Sequence, residues 1–208
     1  MIDWLKSEWL KLTKNYCDVS LSNLLWKEIE TQYTLRSRYY HNLSHLYNML
    51  KQLKDFETEI EDLDSLKFAI WYHDIIYKST IKDNEEKSAL FAKKRLKSID
   101  FDEKRIEIVQ NLIISTKTHN LISTKNIDNA FILDLDLSIL GTDWKIYKNY
   151  ISDIRKEYKI YPNFMYKSGR KKVLSHFLER ESFYFTEPFK TKYETQARAN
   201  LEREIELL

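Results

Sequence analysis

The segment RYYHNLSHLYNML, residues 38–50, combines two histidines with apolar residues at helical spacing. Apolar residues recur every three or four positions as far as residue 53, which predicts an amphipathic helix over residues 39–55. Because positions i and i+4 lie on one face of a helix, we expect His41 and His45 to point the same way. The segment therefore predicts a helical fold with two imidazoles facing a common neighbour.

Helical periodicity also dominates the rest of the chain. It predicts helices over residues 3–15, 20–34, 64–77, 103–117, 127–140 and 190–207, a pair within 143–180 that breaks at Pro162, and a helix capped by Asp83 and Glu86 in KDNEEKSALFAKKRL. The pattern is weakest over residues 118–126 and 162–170. Only two glycines and two prolines occur, and all-β folds use both residue types in their turns. We expect an all-α fold, a single helical bundle of about eight to ten helices.

Composition limits the classes of function. The 34 basic and 32 acidic residues leave a net charge of +2, so no strong field is directed at nucleic acid or a membrane. No apolar run has the length of a membrane span, and we expect no membrane partner. Cys17 is the single cysteine, which excludes an internal disulfide and favours a cytoplasmic protein.

A second motif, FAIWYHDIIY at residues 68–77, places His73 beside Asp74 in an apolar run. Neighbours on a helix diverge by about 100°, yet both side chains reach one ion that lies in a groove between two helices. A buried carboxylate needs compensation, and a divalent cation held by imidazole and carboxylate provides it. The alternatives are that Asp74 only orients His73, or that it pairs with Arg38.

Further carboxylates occur in FILDLDLSILG, residues 131–141. Asp134 and Asp136 face about 200° apart on a helix, so we expect only one of them to reach the same ion. The other caps a helix or faces water. The spacing alone leaves the choice open.

Together, RYYHNLSHL, WYHDIIY, DNEEKSA, LDLDLSILG and ARANLEREI resemble the HD-domain metal-dependent phosphohydrolase superfamily, in particular a branch of small prokaryotic predicted phosphohydrolases. The YHNxxH piece is similar to a helix of the cyclic-nucleotide phosphodiesterases. The resemblance covers residues from about 20 to 205. It implies one HD domain over residues 1–208, with a metal core at about 20–145 and C-terminal helices 145–208 packed on it.

The resemblance also implies roles for individual residues. It implies a divalent metal ion (Mn, Mg, Co, Ni, Fe or Zn) with four ligands, which are His45, His73, Asp74 and Asp136, with Asp134 as the rival for the last position. His41 matches the proton donor, and Asp74 also orients a water. Tyr77 stands where the phosphodiesterases have a further histidine, so we expect a single ion.

The activity that the resemblance implies is hydrolysis of a phosphoester by metal-activated water, with a nucleotide or another small phosphorylated metabolite as substrate. The alternative is a non-catalytic helical binding module that a metal ion stabilises. His41 favours the enzyme, because a binding module needs no proton donor. Either protein could form a homodimer. Three residues are candidates for substrate binding, each with a structural alternative: Arg38 (ion pair), Glu85 (helix N-terminal carboxylate) and His119 (helix cap).

Overall fold

The chain is all-α, as predicted. The computed structural model describes residues 1–122 and 127–208, and within them there are ten α-helices, two short 3₁₀ helices and no strand. The α-helices are α1 (Ile2–Thr13), α2 (Val19–Tyr33), α3 (Leu43–Leu53), α4 (Leu63–Tyr72), α5 (Asn84–Lys97), α6 (Glu103–Ser115), α7 (Ile127–Leu137), α8 (Trp144–Glu157), α9 (Asn163–Leu178) and α10 (Glu187–Leu207). The 3₁₀ helices are Lys54–Glu59 and Ser138–Gly141.

Two regions of weak pattern have different outcomes. The predicted irregular stretch over 162–170 is wrong, because α9 runs through it. The predicted loop over 118–126 lies partly outside the described residues, since residues 123–126 are not among them. Within the described parts of the chain, every helix is too short or too polar to cross a bilayer.

The chain forms two compact units, Met1–Ile132 and Leu133–Leu208, and the boundary falls inside α7. In the first unit α4 is central and contacts α3, α5 and α6. Trp71 of α4 meets Trp9 and Trp26 edge to face, with ring centroids 5.6 and 6.0 Å apart. Such aromatic pairs stabilise a core beyond the area they bury. The prediction of a central, buried helix here is therefore confirmed, although α4 is shorter than predicted.

Side-chain caps define several helix starts. The residue before each of α2, α3, α4 and α6 accepts a hydrogen bond from a backbone N–H of the first turn; these caps are Asp18, Asn42, Asp62 and Asp102. Asp and Asn are preferred there because they satisfy an otherwise unpaired donor. Asp83 does precede α5, but its side chain makes no cap hydrogen bond and pairs with Lys87 at 2.9 Å. The predicted capping by Asp83 is therefore wrong in its contacts and right in its position.

In the second unit, α10 packs against the 3₁₀ helix Ser138–Gly141 and against α9. A Cβ atom on Gly141 would lie 2.5 Å from Tyr193 Cβ and 2.6 Å from the Tyr193 carbonyl oxygen, so only glycine fits. The buried Glu204 carboxylate accepts hydrogen bonds from Arg170 at 2.7 and 3.0 Å and from the Tyr147 hydroxyl at 2.5 Å. The charge of Glu204 is thus compensated inside the unit, as a buried carboxylate requires.

Candidate metal centre

Two imidazole rings lie close together in the interior of the first unit. His45 lies in the first turn of α3 and His73 directly follows α4, and both are almost fully buried. Their Nε2 atoms are 3.2 Å apart. The Asp74 Oδ2 atom is 3.1 Å from the same Nε2 atom of His73. His73 Nε2 therefore has one candidate ligand atom on either of two neighbours, His45 and Asp74, in a buried place.

The hydrogen bonding of His73 shows which of its ring nitrogens carries the proton and which has the lone pair. Its Nδ1 atom is 2.9 Å from the Ile70 carbonyl oxygen, and since a carbonyl only accepts, Nδ1 carries the proton. The Nε2 atom of the neutral ring then directs its lone pair at the Asp74 oxygen and at His45. The lone pair of His73 Nε2 and the Asp74 carboxylate repel each other unless a metal ion or a proton lies between them, whereas His45 Nε2 can be either donor or acceptor.

The spacing of these atoms also fits a metal ion. Nitrogen and oxygen ligands lie about 2.0–2.2 Å from a zinc-sized ion, so two ligands at adjacent positions are about 3 Å apart. The observed separations of 3.2 and 3.1 Å match this value. Imidazole nitrogen and carboxylate oxygen also suit Zn, Mn, Fe, Co and Ni. The donor set of His45, His73 and Asp74 is therefore compatible with a divalent cation.

The turn that carries His73 and Asp74 is held by polar contacts with α2 and the segment after it. The predicted helix over 64–77 is too long, because α4 ends at Tyr72. Arg38 donates to the carbonyl oxygens of Asp74 (2.6 Å) and Ile75 (2.8 Å), and the Asp74 N–H donates to the Tyr33 hydroxyl at 3.2 Å. These partners satisfy backbone groups that would otherwise need the next helical turn. His73 itself keeps helical dihedral angles, and the regular helix ends just before it.

Arg38 is thus part of the scaffold of the site. It is buried, and its guanidinium also donates to the His41 carbonyl oxygen at 3.1 Å, so it ties the segment before α3 to the turn after α4. The guanidinium lies 4.8 Å from the centre of the Tyr33 ring, a cation–π distance. The predicted contact of Arg38 with a substrate phosphate stays a prediction.

His41 is not on a helix with His45, and this part of our prediction is wrong. The Asn42 side chain accepts the Ser44 N–H at 2.7 Å and Asn42 itself has an extended backbone, so α3 begins only at Leu43. His41 nevertheless lies near the cluster, with its ring centre 6.2 Å from that of His45. Its ring stacks on Tyr77 at 4.0 Å. The residue is therefore held beside the candidate ligands by stacking and not by helical register.

The two aspartates of α7 differ sharply in environment. Asp134 is fully buried, and its carboxylate accepts hydrogen bonds from the Phe185 N–H, the Thr186 N–H and the Thr186 hydroxyl at 2.7–2.8 Å. Burial raises the pKa of Asp134 to about 6. Asp136 is half-buried and offers a carboxylate oxygen suited to a metal. Asp134 therefore has a structural task at the start of α10, and Asp136 remains our predicted ligand.

The two remaining substrate candidates lie at helix ends. Glu85 is in the first turn of α5, and burial raises its pKa, as do the negative charges of Asp74 and Glu86. His119 follows α6 with a left-handed backbone (φ 49°), and its N–H donates to the Ser115 carbonyl oxygen at 3.0 Å. This is the geometry of a helix C-cap. The structural alternative for His119 is thus present, and contact of Glu85 or His119 with substrate stays a prediction.

Sequence reasoning missed the residues that hold the segment after Asp74. Asn84 exchanges hydrogen bonds with Lys78, accepting its N–H at 2.9 Å and donating to its carbonyl oxygen at 3.1 Å. Ser88 does the same for Ile76 at 3.1 and 3.2 Å. Both residues belong to the DNEEKSA motif, in which Glu85 was the predicted functional residue. The signal that could have identified Asn84 and Ser88 is that they are buried polar residues in a helix beside the candidate site.

No protein-family model, curated protein or solved structure matches the chain. Membership of the HD-domain superfamily therefore stays a prediction that stands on the motifs.

Proposed function

We propose that the protein is a metal-dependent phosphohydrolase that cleaves a phosphoester of a nucleotide or another small phosphorylated metabolite. The observation that carries the proposal is that His45 Nε2 and Asp74 Oδ2 lie 3.2 and 3.1 Å from the buried His73 Nε2. We further propose Asp136 as the last ligand, since His45, His73 and Asp136 each offer one ligand atom of the type that divalent cations take. The resemblance to HD-domain enzymes supports the reaction class.

A divalent ion in this site would neutralise phosphate charge and lower the pKa of a water it holds to about 7. The protein's own residues supply the rest. Asp74 has a second carboxylate oxygen that can orient the attacking water. His41 can donate a proton to the departing oxygen of the substrate, and its stacking on Tyr77 holds the imidazole in place for that transfer. Tyr40, 4.9 Å from His45 between ring centres, closes one side of the cluster.

The position of His41 supports an enzyme over a purely structural metal site. His41 is half-buried and stands next to the ligands without being required as one. A structural site is closed by its ligands, whereas a catalytic one keeps positions for water and substrate. We propose a cytoplasmic setting, because the single Cys17 gives the chain no internal disulfide.

The test is metal analysis of the purified protein, followed by phosphate release from mono-, cyclic and polyphosphate nucleotides with Mn, Mg, Co, Ni, Fe and Zn. We expect about one ion per chain and metal-dependent phosphate release that His45→Gln abolishes. Stoichiometric metal with no hydrolysis of any substrate in the panel would favour the non-catalytic binding module. Absence of bound metal at every concentration would contradict the proposal.

A further inference from the structure

Arg38 is a buried cation that has no carboxylate partner within the described parts of the chain. Only 7% of the residue is exposed, and among residues 1–122 and 127–208 no aspartate or glutamate forms an ion pair with its guanidinium. Its Nε–H also lacks a hydrogen-bond partner among these residues. Burial of a charge without a counter-ion, and of an unpaired donor, costs stability. Stability of the fold alone therefore does not explain an arginine at this position.

The guanidinium instead joins two short segments of the first unit through their main chains. Its Nη1 atom donates to the His41 carbonyl oxygen at 3.1 Å and to the Asp74 carbonyl oxygen at 2.6 Å, and Nη2 donates to the Ile75 carbonyl oxygen at 2.8 Å. One planar group with donors in fixed directions thus spans the residue proposed as proton donor and the turn that carries two proposed ligands. A lysine ammonium is a point charge on a flexible chain and would not hold this geometry.

The same two segments meet a second time through their side chains. The His41 ring stacks on the Tyr77 ring, with centres 4.0 Å apart and 27° between the ring planes. The Arg38 guanidinium lies 5.9 Å from the centre of the Tyr77 ring. Main-chain and ring contacts therefore both connect His41 to the segment after α4.

Helix α5 anchors the residues on either side of Tyr77. Ser88 bonds both main-chain groups of Ile76 at 3.1 and 3.2 Å, and Asn84 bonds both main-chain groups of Lys78 at 2.9 and 3.1 Å. Hydrogen bonds on both sides restrict the backbone from which the Tyr77 ring extends. Tyr77 consequently presents a fixed surface to the His41 imidazole.

Resting on the proposed function, we infer that Arg38 and Tyr77 are positioning residues for proton transfer by His41. Arg38 holds the main chain of His41 relative to the turn of Asp74, and Tyr77 sets the plane of the imidazole. Protonation of the departing oxygen requires both the distance and the direction to be correct. Substrates with a poor leaving group, such as the ribose hydroxyl of a nucleotide, depend on this arrangement most.

A double-mutant cycle in the full-length protein tests the inference. Its probes are the nucleotide that the wild type hydrolyses fastest in the panel above and the corresponding nitrophenyl ester, each at a metal concentration that saturates the variant. Arg38→Lys and Tyr77→Leu should each lower kcat for the nucleotide by about 10- to 10²-fold with little change in KM, and by less for the nitrophenyl ester. Adding His41→Gln to either variant should lower kcat hardly further, because residues that act through one group are not additive. Tyr77→Phe keeps the ring and should keep kcat.

Arg155 of the second unit provides the matched control. It also donates to two main-chain carbonyl oxygens, those of Tyr158 and Tyr161, at 2.8 and 3.0 Å, and it lies 4.7 Å from the centre of the Tyr166 ring. Arg155→Lys should therefore lose a comparable set of contacts without the loss in kcat. Circular dichroism and urea unfolding of every variant establish whether the fold is retained. If Arg38→Lys does not fold, the comparison of Tyr77→Leu with Tyr77→Phe decides.

Three results would overturn the inference. One is wild-type kcat in both Arg38→Lys and Tyr77→Leu. A second is an effect of Arg38→Lys that lies in KM and adds in full to that of His41→Gln, because Arg38 would then contact the substrate phosphate. A third is a loss of kcat in Tyr77→Leu that is as large for the nitrophenyl ester as for the nucleotide, since it would not act through the leaving group. Absence of hydrolysis by the wild type would overturn the proposed function and this role with it, whereas an active wild type with any of the three results overturns the role alone.

Discussion

At the scale of single residues, His41 and His45 invite direct comparison because they are four positions apart and have different proposed tasks. His45 directs Nε2 at His73, whereas His41 stacks on Tyr77 outside the ligand cluster. The same substitution at the two positions therefore separates metal binding from proton transfer.

We expect His41→Gln to keep the metal and the fold and to lower turnover by about 10²- to 10⁴-fold, the usual contribution of a positioned general acid. His45→Gln should lose metal and activity together, because it removes a ligand. Metal content and the rate of phosphate release should be measured for both variants. The loss in His41→Gln should shrink for substrates with good leaving groups such as nitrophenol. Equal loss of metal in the two variants would make His41 a ligand.

The aspartates of α7 provide a second pair of matched substitutions. Asp136→Asn should reduce metal affinity, because an amide oxygen is a weaker ligand than a carboxylate. Asp134→Asn should instead destabilise the metal-free protein by about 1–3 kcal/mol, since one of its oxygens can no longer accept the N–H or hydroxyl of Thr186. Metal titrations and urea unfolding of each variant distinguish the roles. The opposite pattern would make Asp134 the ligand.

At the scale of elements, the start of α4 determines where His73 is presented. The Asp62 carboxylate accepts hydrogen bonds from the Ser65 N–H and hydroxyl and from Arg105 at 2.5 and 2.8 Å. Burial alone would raise the pKa of Asp62, but Arg105 and Ser65 outweigh it, and the pKa lies below its ordinary value. The ionised side chain is therefore a cap and an ion-pair partner at once.

We expect Asp62→Ala to destabilise the fold by about 1–2 kcal/mol, mainly through loss of the cap. Because the folded-state pKa is depressed, the stability that Asp62 contributes is present above its unfolded-state pKa of about 3.9 and is lost as the pH falls through the lower folded-state value. Urea unfolding of wild type and variant between neutral and acidic pH measures this. The difference in unfolding free energy between wild type and variant should become smaller at acidic pH. A difference that does not change with pH would exclude an ionic contribution of Asp62.

The chain's two glycines should respond in opposite ways to the same change. Gly169→Ala should stabilise the protein by about 0.5–1 kcal/mol, because alanine favours the helix and its Cβ meets open space. Gly141→Ala should destabilise it by about 1–3 kcal/mol, because the added Cβ overlaps the backbone of Tyr193. Thermal and chemical unfolding measure both. Stabilisation of the protein by Gly141→Ala would contradict the close contact between Gly141 and Tyr193 of α10.

The helix boundaries show which parts of the elements were predictable. Apolar periodicity located most α-helices of the described residues to within a few residues, because burial of one face is a property of the local sequence, but it missed the first half of α9. The end of α4 at Tyr72 was not predictable, since Arg38 and Tyr33, more than thirty positions earlier, satisfy the backbone there. The start of α3 was predictable in principle, because Asn42 is a favoured N-cap residue and lies directly before the apolar run.

At the scale of the whole molecule, a metal bound only by the native state should raise its stability. At a free metal concentration 100 times the dissociation constant the gain is about 2.7 kcal/mol, which corresponds to about 5–10 °C in melting temperature for a chain of this size. Removal of metal with a chelator should reverse the shift, and scanning calorimetry measures it. The His45→Gln variant is the control and should melt at the same temperature with and without chelator.

The candidate site was predictable in its residue types and less so in its geometry. His73 and Asp74 stand out because a charged pair in an apolar run needs compensation. The contrast between Asp134 and Asp136 depends on Phe185 and Thr186, which lie about fifty positions away and give no local signal. Long-range hydrogen bonds of this kind are decided by tertiary packing.

Gly141 also has a consequence for how α10 finds its register. The helix has 21 residues but only a few apolar anchors, so its own pattern would tolerate sliding along its axis. The Cβ, Cα and carbonyl oxygen of Tyr193 lie so close to Gly141 that a Cβ atom on Gly141 would be 2.5–2.8 Å from them. A missing side chain therefore helps to set the alignment of α10, together with the hydrogen bonds of Asn200 to the Leu140 and Thr142 carbonyl oxygens, where the hydrophobic pattern does not.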